Sequence, residues 1–207
     1  MRRRINLCSF NMGNINTEPD IVMGDNVILY TTSDNNVYTI ETTGSWGSNI
    51  VSNTYYTNAK GVIMFDGDVT TIPDNAFSHG NKEKLLTINI PKSVKSIGYH
   101  SFYSCNNLNN INIPDNVTSI GKYAFGFCHN LQTIILPSSI KTISDNAFCT
   151  MFNLKEVYVN ATTPPQLGEK VFFDNPSSRI IYVPSSSLSA YKSASGWSDY
   201  ANNIKSF

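Results

Sequence analysis

The stretch LNNINIPDNVTSIGKYAFGFCHNL, residues 108–131, decides the fold. Its apolar residues follow two rules in succession. Ile111 and Ile113 alternate with Asn110 and Asn112, the two-residue period of a strand buried on one face. Pro114 ends that strand, because proline has no N–H to give to a ladder. Val117, Ile120, Ala124 and Phe125 then fill the returning side of a coil, and Gly121 permits the corner. One such unit cannot bury these side chains alone. Stacked units bury one another, with strands about 4.8 Å apart.

Outward from this stretch the pattern recurs. Val69-TTIPDNA-Phe77, Val94-KSIGYHS-Phe102, Val117-TSIGKYA-Phe125 and Ile140-KTISDNA-Phe148 begin 25, 23 and 23 residues apart. Leu85-LTINI-Pro91, Leu108-NNINI-Pro114, Leu131-QTIIL-Pro137 and Leu154-KEVYV-Asn160 lie between them at a constant spacing of 23. The longer interval comes from two extra residues near Ser78-His79-Gly80-Asn81, which read as loop. Ile63 with Phe65, and Ile181 with Val183, extend the register by one rung at each end. The expectation is a leucine-rich-repeat-like solenoid of about six parallel strands in one sheet, with Ile88, Ile111, Ile134 and Val157 in one interior column.

The ends of such a stack need caps, because an open parallel edge invites aggregation. Ser185-SSLSAYKSAS reads as a short helix, and Trp197, Tyr200 and Ile204 as a second helical turn. Val27-ILYTT, a turn at Ser33–Asn36 and Val37-YTI read as a β-hairpin. Residues 41–60 read as loop and 1–26 as an extended arm. The chain then divides into an N-terminal arm and hairpin (1–60), a solenoid (61–184) and a C-terminal cap (185–207).

The unit L-x-x-I-x-I-P-x-x-V-x-x-I-G-x-x-A-F-x-x-C-x-x-L, carried by Leu108 to Leu131 with Cys128 in the cysteine slot, resembles the BspA-type leucine-rich repeat. The resemblance spans roughly residues 61–184. The tail from Ile181 and the lead-in from Asn49 are similar to segments that flank these repeats in proteins of gut bacteria and their phages. Pro73 and Ser144 stand where the pattern has Gly, and Phe148-CTM lacks the cysteine. The resemblance implies binding rather than catalysis, since members are surface adhesins and similar modules occur in phage structural proteins.

Composition narrows the partners. Lys plus Arg number 15, Asp plus Glu 15, and charged residues are 14% of the 207, against roughly 25% in an ordinary domain. In their place stand 26 Asn, 24 Ser and 17 Thr. A surface solvated by amides and hydroxyls does not attract phosphate backbones or anionic membranes, so nucleic acid is not expected as a partner. No run approaches the roughly 20 apolar residues of a membrane span. Met1-Arg2-Arg3-Arg4 is followed by no apolar stretch of an export signal.

Chemistry-bearing residues are scattered. Cys105 and Cys128 are one period apart and read as stacked buried hydrophobes rather than a disulfide, with Met151 next in their column. Cys149 lies outside that column and Cys8 in the arm. His79, His100 and His129 share no column, so neither a metal site nor histidine-driven catalysis is expected. Gly44-Ser-Trp-Gly47-Ser48 has the wrong spacing for a nucleophile elbow. Asp66-Gly67-Asp68 reads as a corner rather than a calcium loop. The expectation is no enzyme and no cofactor.

The outward strand positions make the candidate binding face: Thr87, Asn89, Asn110, Asn112, Thr133, Ile135, Glu156, Tyr158 and Tyr182. Tyr and Asn combine rigid contact area with adaptable hydrogen bonding, and sheet panels are the usual recognition surfaces of solenoids. The expected role is structural or binding. The foremost setting is a phage virion component (tail, fibre or head-attached); the alternative is a bacterial cell-surface or secreted adhesin. The expected partners are proteins of an assembly or a host-surface protein or glycan, and the same surfaces suit homo-oligomerisation.

Overall fold

A 23-residue coil that ends its strand at a proline must turn twice more before the next strand begins. The computed structural model describes residues 24–40, 44–56, 60–80 and 82–207, and each repeat in it has three sides. Fourteen strands follow one another among the described residues. The first three are β1 (Val27–Thr32), β2 (Ile50–Tyr56) and β3 (Lys60–Phe65). Two-residue strands β4 (Thr71–Ile72), β6 (Ser96–Ile97), β8 (Ser119–Ile120), β10 (Thr142–Ile143) and β12 (Gln166–Leu167) alternate with longer ones. The longer strands are β5 (Leu85–Asn89), β7 (Asn110–Asn112), β9 (Thr133–Leu136), β11 (Glu156–Val159) and β13 (Ile180–Val183), and β14 (Ile204–Ser206) closes the chain.

The expected interior column is present. Ile88 pairs with Ile111, Ile134 with Val157, Val157 with Ile181 and Ile181 with Ile204, all in parallel register and all buried. The single sheet is not. The long-strand side divides into β2-β3-β1-β5-β7 and β14-β13-β11-β9, while the short strands form a second, wholly parallel sheet in the order β12-β10-β8-β6-β4. Pro91, Pro114 and Pro137 end the long strand before three of the five short rungs.

The third side carries no strand, yet its amides are paired. Phe102 N–H donates to Ala124 O, Phe125 N–H to Ala147 O and Phe148 N–H to Val171 O, at 2.8, 2.8 and 3.0 Å. These bonds lock the aromatic rings in line. Phe77, Phe102, Phe125, Phe148 and Phe172 stack with centroids 5.0, 5.2, 5.4 and 5.7 Å apart and planes within 11°. Trp46 closes one end edge-on against Phe77 at 87°, and Tyr200 closes the other against Phe172 at 85°. The thiols of Cys105 and Cys128 donate to Phe77 O and Phe102 O across the rungs. Met151 continues the column, and Asn175, one rung further, donates to Phe148 O at 2.9 Å.

The N-terminal segment departs from expectation. Ile63 and Phe65 are buried, but β3 is antiparallel to both β1 and β2, and β1 lies between it and β5. This region is therefore an antiparallel lead-in sheet rather than a parallel rung. The hairpin expected from residues 27–40 does not form either. Both edges of β1 are taken, by β3 and by β5, so residues 37–40 have no edge to join. Tyr38 instead turns inward: its N–H donates to the Tyr30 hydroxyl and its own hydroxyl donates to Phe77 O. Residues 50–56, expected as loop, are strand β2. Of the expected arm, residues 1–23 lie outside the described residues. Asp25 is tied down, its carbonyl accepting from Val69 N–H at 2.8 Å and its carboxylate from Ser93 N–H at 3.0 Å.

At the other end the expected helix is a 3₁₀ turn (Ser185–Ser187) followed by α1 (Leu188–Ser193). A second 3₁₀ turn (Ser198–Asn203) bears Tyr200, but Ile204 is in β14 rather than in a helical turn, because β13 offers it a free parallel edge. Arg179, only 5% exposed, is sandwiched over the rings of Phe172 and Tyr200, 5.0 and 5.3 Å from their centroids.

Removing one ring from the middle of the aromatic column leaves a cavity that two neighbouring rungs cannot collapse into. Phe125→Ala should cost about 3–5 kcal/mol, read as a lowered urea midpoint, whereas the exposed Phe152→Ala should change stability little.

Candidate functional site

The outward face of the long strands is arranged in two rows. Pairings Thr31–Thr87, Thr87–Asn110, Thr133–Glu156 and Glu156–Ile180 make one. Leu29–Asn89, Asn89–Asn112, Ile135–Tyr158, Tyr158–Tyr182 and Tyr182–Lys205 make the other. All nine expected face residues therefore fall on one side of the long-strand layer. They form no uniform panel. The amide end, Asn89 to Asn112, gives way to an apolar and aromatic end. There Ile135 is 52% exposed and Tyr158 stacks on Tyr182 at 4.8 Å and 16°. Phe207 lies 6.2 Å from Tyr158 and extends this end. Its N–H donates to Val183 O, the same ladder that places Lys205 beside Tyr182. Phe207 and Lys205 were not expected on this face, because the tail reads as helical by its spacing. The Tyr158 hydroxyl donates to Glu156 at 3.3 Å; local desolvation, then that carboxylate, raise its pKa above the ordinary value.

The residues considered for chemistry are placed elsewhere and apart. Cys105, Cys128 and Cys149 are free and buried. Burial pushes the Cys105 thiol up to about 12 and raises Cys128 well above its ordinary value. Neither supplies a thiolate nucleophile at neutral pH. Asp66 accepts from the backbone N–H and side-chain amide of Asn49, both at 2.8 Å, which lowers its pKa and makes it a corner clamp. Among the described residues no three His, Cys, Asp or Glu side chains converge as metal ligands.

A second constellation lies on the strandless side. His100 and Tyr123 occupy one left-handed column with Asn75, Asn146 and Lys170, at φ between 53° and 60°. Phe127 occupies a second with Ser104, Thr150 and Asp174, at φ between 53° and 64°. Most of these residues are half-buried or exposed, so their side chains reach the surface of this side, whereas Thr150 is buried. The His100 ring is stacked between Tyr99 at 3.8 Å and Tyr103 at 4.3 Å, and Tyr123 meets both His100 and Tyr103 edge-on. Burial in this stack lowers the His100 pKa against the opposing pull of Asp74. The rings border a cleft of about 490 Å³ that Phe127, Asn146, Lys170 and Phe173 complete. Its histidine, tyrosine and phenylalanine rings are spread over several columns, so no single column of the repeat reveals it whole. A partial signal was there: Tyr103, Gly126, Cys149 and Phe173 share one register, large at both ends and small in the middle.

Comparison with known proteins follows the same repeats. Residues 70–195 match the family model described as BspA type Leucine rich repeat region (6 copies). The chain belongs to the BspA-type leucine-rich repeat family. No curated protein gives a significant match. Among solved structures, the Treponema pallidum leucine-rich repeat protein is 24% identical with a TM-score of 0.53; the match covers 67% of this chain and 62% of that one. The pneumococcal vaccine antigen PcpA is 16% identical at a TM-score of 0.39, covering 67% of this chain and 38% of that one. A leucine-rich cell surface protein of Faecalibacterium prausnitzii is 20% identical at a TM-score of 0.40, covering 92% and 55%. The chain thus spans less than two thirds of each of these structures, and the likeness to the first shows the fold alone.

The buried thiols make the fold sensitive to alkali. Their folded pKa values are raised, so their contribution is complete below the ordinary thiol value of 9.0 and is lost as pH climbs toward 12. Urea midpoints measured from pH 8 to pH 11 should be level at first and fall above about 9. The same series on Cys105→Ala should fall less steeply.

Proposed function

We propose that this chain is a non-catalytic recognition module whose long-strand face binds a protein or glycan partner. The observation that carries this reading is the in-register apolar and aromatic end of that face, with Ile135, Tyr158, Tyr182 and Phe207 grouped on a rigid sheet. Stacked tyrosines on a pre-ordered sheet lose little conformational freedom on binding, and aromatic anchors dominate the energetics of most interfaces. The amide end adjoining them supplies hydrogen bonds that adapt to a partner. Residues 1–60 and 185–207 act as caps or anchoring segments of the solenoid at 61–184.

The bacterial cell surface is the setting that family membership supports, since BspA-type proteins are often displayed there. The phage virion reading is supported by a surface of zero formal net charge and abundant Asn, Ser and Thr, which suits dense packing among other structural proteins without long-range repulsion. Peptides of this chain in purified phage particles support the virion; labelling of the chain on intact bacteria by an impermeant reagent supports the cell surface.

The face itself is tested by substitution. Asn112→Ala, Tyr158→Ala and Tyr182→Ala should leave the circular dichroism melt nearly unchanged. Each tyrosine variant should weaken attachment to the cells or particles that retain the wild-type chain by about tenfold or more. Equal attachment by all three removes this face from the function.

A further inference from the structure

We propose that the cleft on the strandless side is a saccharide-binding site, independent of the long-strand face, and that it takes a short neutral or N-acetylated oligosaccharide. Three observations converge on that ligand class. The cleft volume, about 490 Å³, lies in the range of small-molecule sites. Its walls are aromatic: Tyr103 and Phe173 stand at its two ends, three rungs apart, which is roughly 14 Å at one strand spacing per rung. Between them the same register carries the small residues Gly126 and Cys149; Cys149 lines the cleft and Gly126 is buried beneath the rings. A Cβ added at Gly126 would already sit 3.3 Å from the Tyr123 ring and from the Cys149 sulfur. The small residue therefore lets the Tyr103 and Tyr123 rings settle against the coil where they border the cleft.

The polar atoms make the choice between an apolar ligand and a sugar. Elsewhere in the molecule buried tyrosines have bonded hydroxyls: Tyr30 donates to Asn53, Tyr38 to Phe77 O and Tyr191 to Ala161 O. Around the cleft, among the described residues, the hydroxyls of Tyr99, Tyr103 and Tyr123 and the side-chain amide of Asn146 have no intramolecular hydrogen bond. Ring faces next to unpaired donors and acceptors match a pyranose, which has apolar C–H faces and a rim of hydroxyls. Lys170, with its amine 5.6 Å from the Phe173 centroid, adds one cationic donor at the rim.

The backbone adds an argument that stability alone does not supply. Tyr123 and Phe127 hold left-handed conformations, at φ 56° and 64°, that cost a bulky side chain free energy. The fold needs that conformation in every repeat, but not those rings: Asn75 and Asn146 fill the same column as Tyr123 with a residue that adopts it readily. Aromatic residues stand at these two positions despite that backbone cost, and their ring contacts to Tyr103 and His100 offset part of it.

This contrast provides the test. The wild-type chain is probed on a printed array of neutral and N-acetylated oligosaccharides, and the strongest hit is titrated by calorimetry. Tyr123→Asn and Phe127→Asn place a residue suited to the left-handed backbone at each position. Their Tm should be unchanged or slightly raised while affinity falls by about tenfold, the worth of a lost ring contact with its hydrogen bond. Tyr158→Ala, on the long-strand face, should bind the saccharide as the wild type does, so that failure here and failure of the proposed function are distinguishable. An array with no retained saccharide overturns the proposal. So does affinity that survives both asparagine variants, or a hydrophobic dye bound in the cleft that no saccharide displaces.

Discussion

Stacking in register is the constraint from which the rest follows. A strand ladder sets the rise per coil at close to 4.8 Å, and a buried ring repeated once per coil must lie over its predecessor at nearly that distance. The five phenylalanines do so, with centroid separations of 5.0 to 5.7 Å. This spacing admits offset-stacked rings without voids. A residue inserted on the third side itself would break the ring column and the hydrogen bonds there together. The two additional residues of the longest interval fall between Phe77 and Leu85, in a loop outside both.

The same constraint explains the composition. Asparagine is abundant, yet several of its side-chain amides are occupied in bonds from one rung to the next. Asn107 donates to Glu83 O, Asn130 to Asn107 and Asn153 to His129 O, each across one rung. Asn175 and Asn203 do the same near the C-terminal end. These amides bind successive coils together through pairings that recur at the repeat spacing. The amides left over, Asn89, Asn110 and Asn112 among them, face outward on the long strands. A composition read as a solvated surface is thus in part a set of surface bonds that fasten one rung to the next.

The two outward faces arise from different local rules. On the long strands, alternation sends every second residue out, and the ladder lines those residues up. On the third side there is no alternation, and left-handed residues do the projecting. The first rule is visible in any single repeat, so the nine face residues were legible by number before any coordinates. The second becomes visible only when a repeat's turn residues are given φ values. No propensity indicates that Tyr123 or Phe127 is left-handed, so the register of Tyr103, Gly126, Cys149 and Phe173 hints at the cleft but not at the rings that border it.

What the sequence by itself determined is the repeat, its interior columns and the family. Each follows from residues 23 apart carrying the same side chain, and burial by an identical neighbour needs no knowledge of anything distant. What only the tertiary structure decided is how the ends are finished. Val27–Thr32 reads equally well as half of a hairpin or as a strand between two others, because its alternation satisfies either. Competition for edges settled it: β5 and β3 occupy both sides of β1, and Tyr38 is left to fill the interior beside Phe77. Ile204 likewise has a helical spacing from Trp197 and Tyr200, but the open edge of β13 offered backbone hydrogen bonds that a lone helical turn could not match. Strand alternation is a property of a segment; edge occupancy is a property of the whole stack.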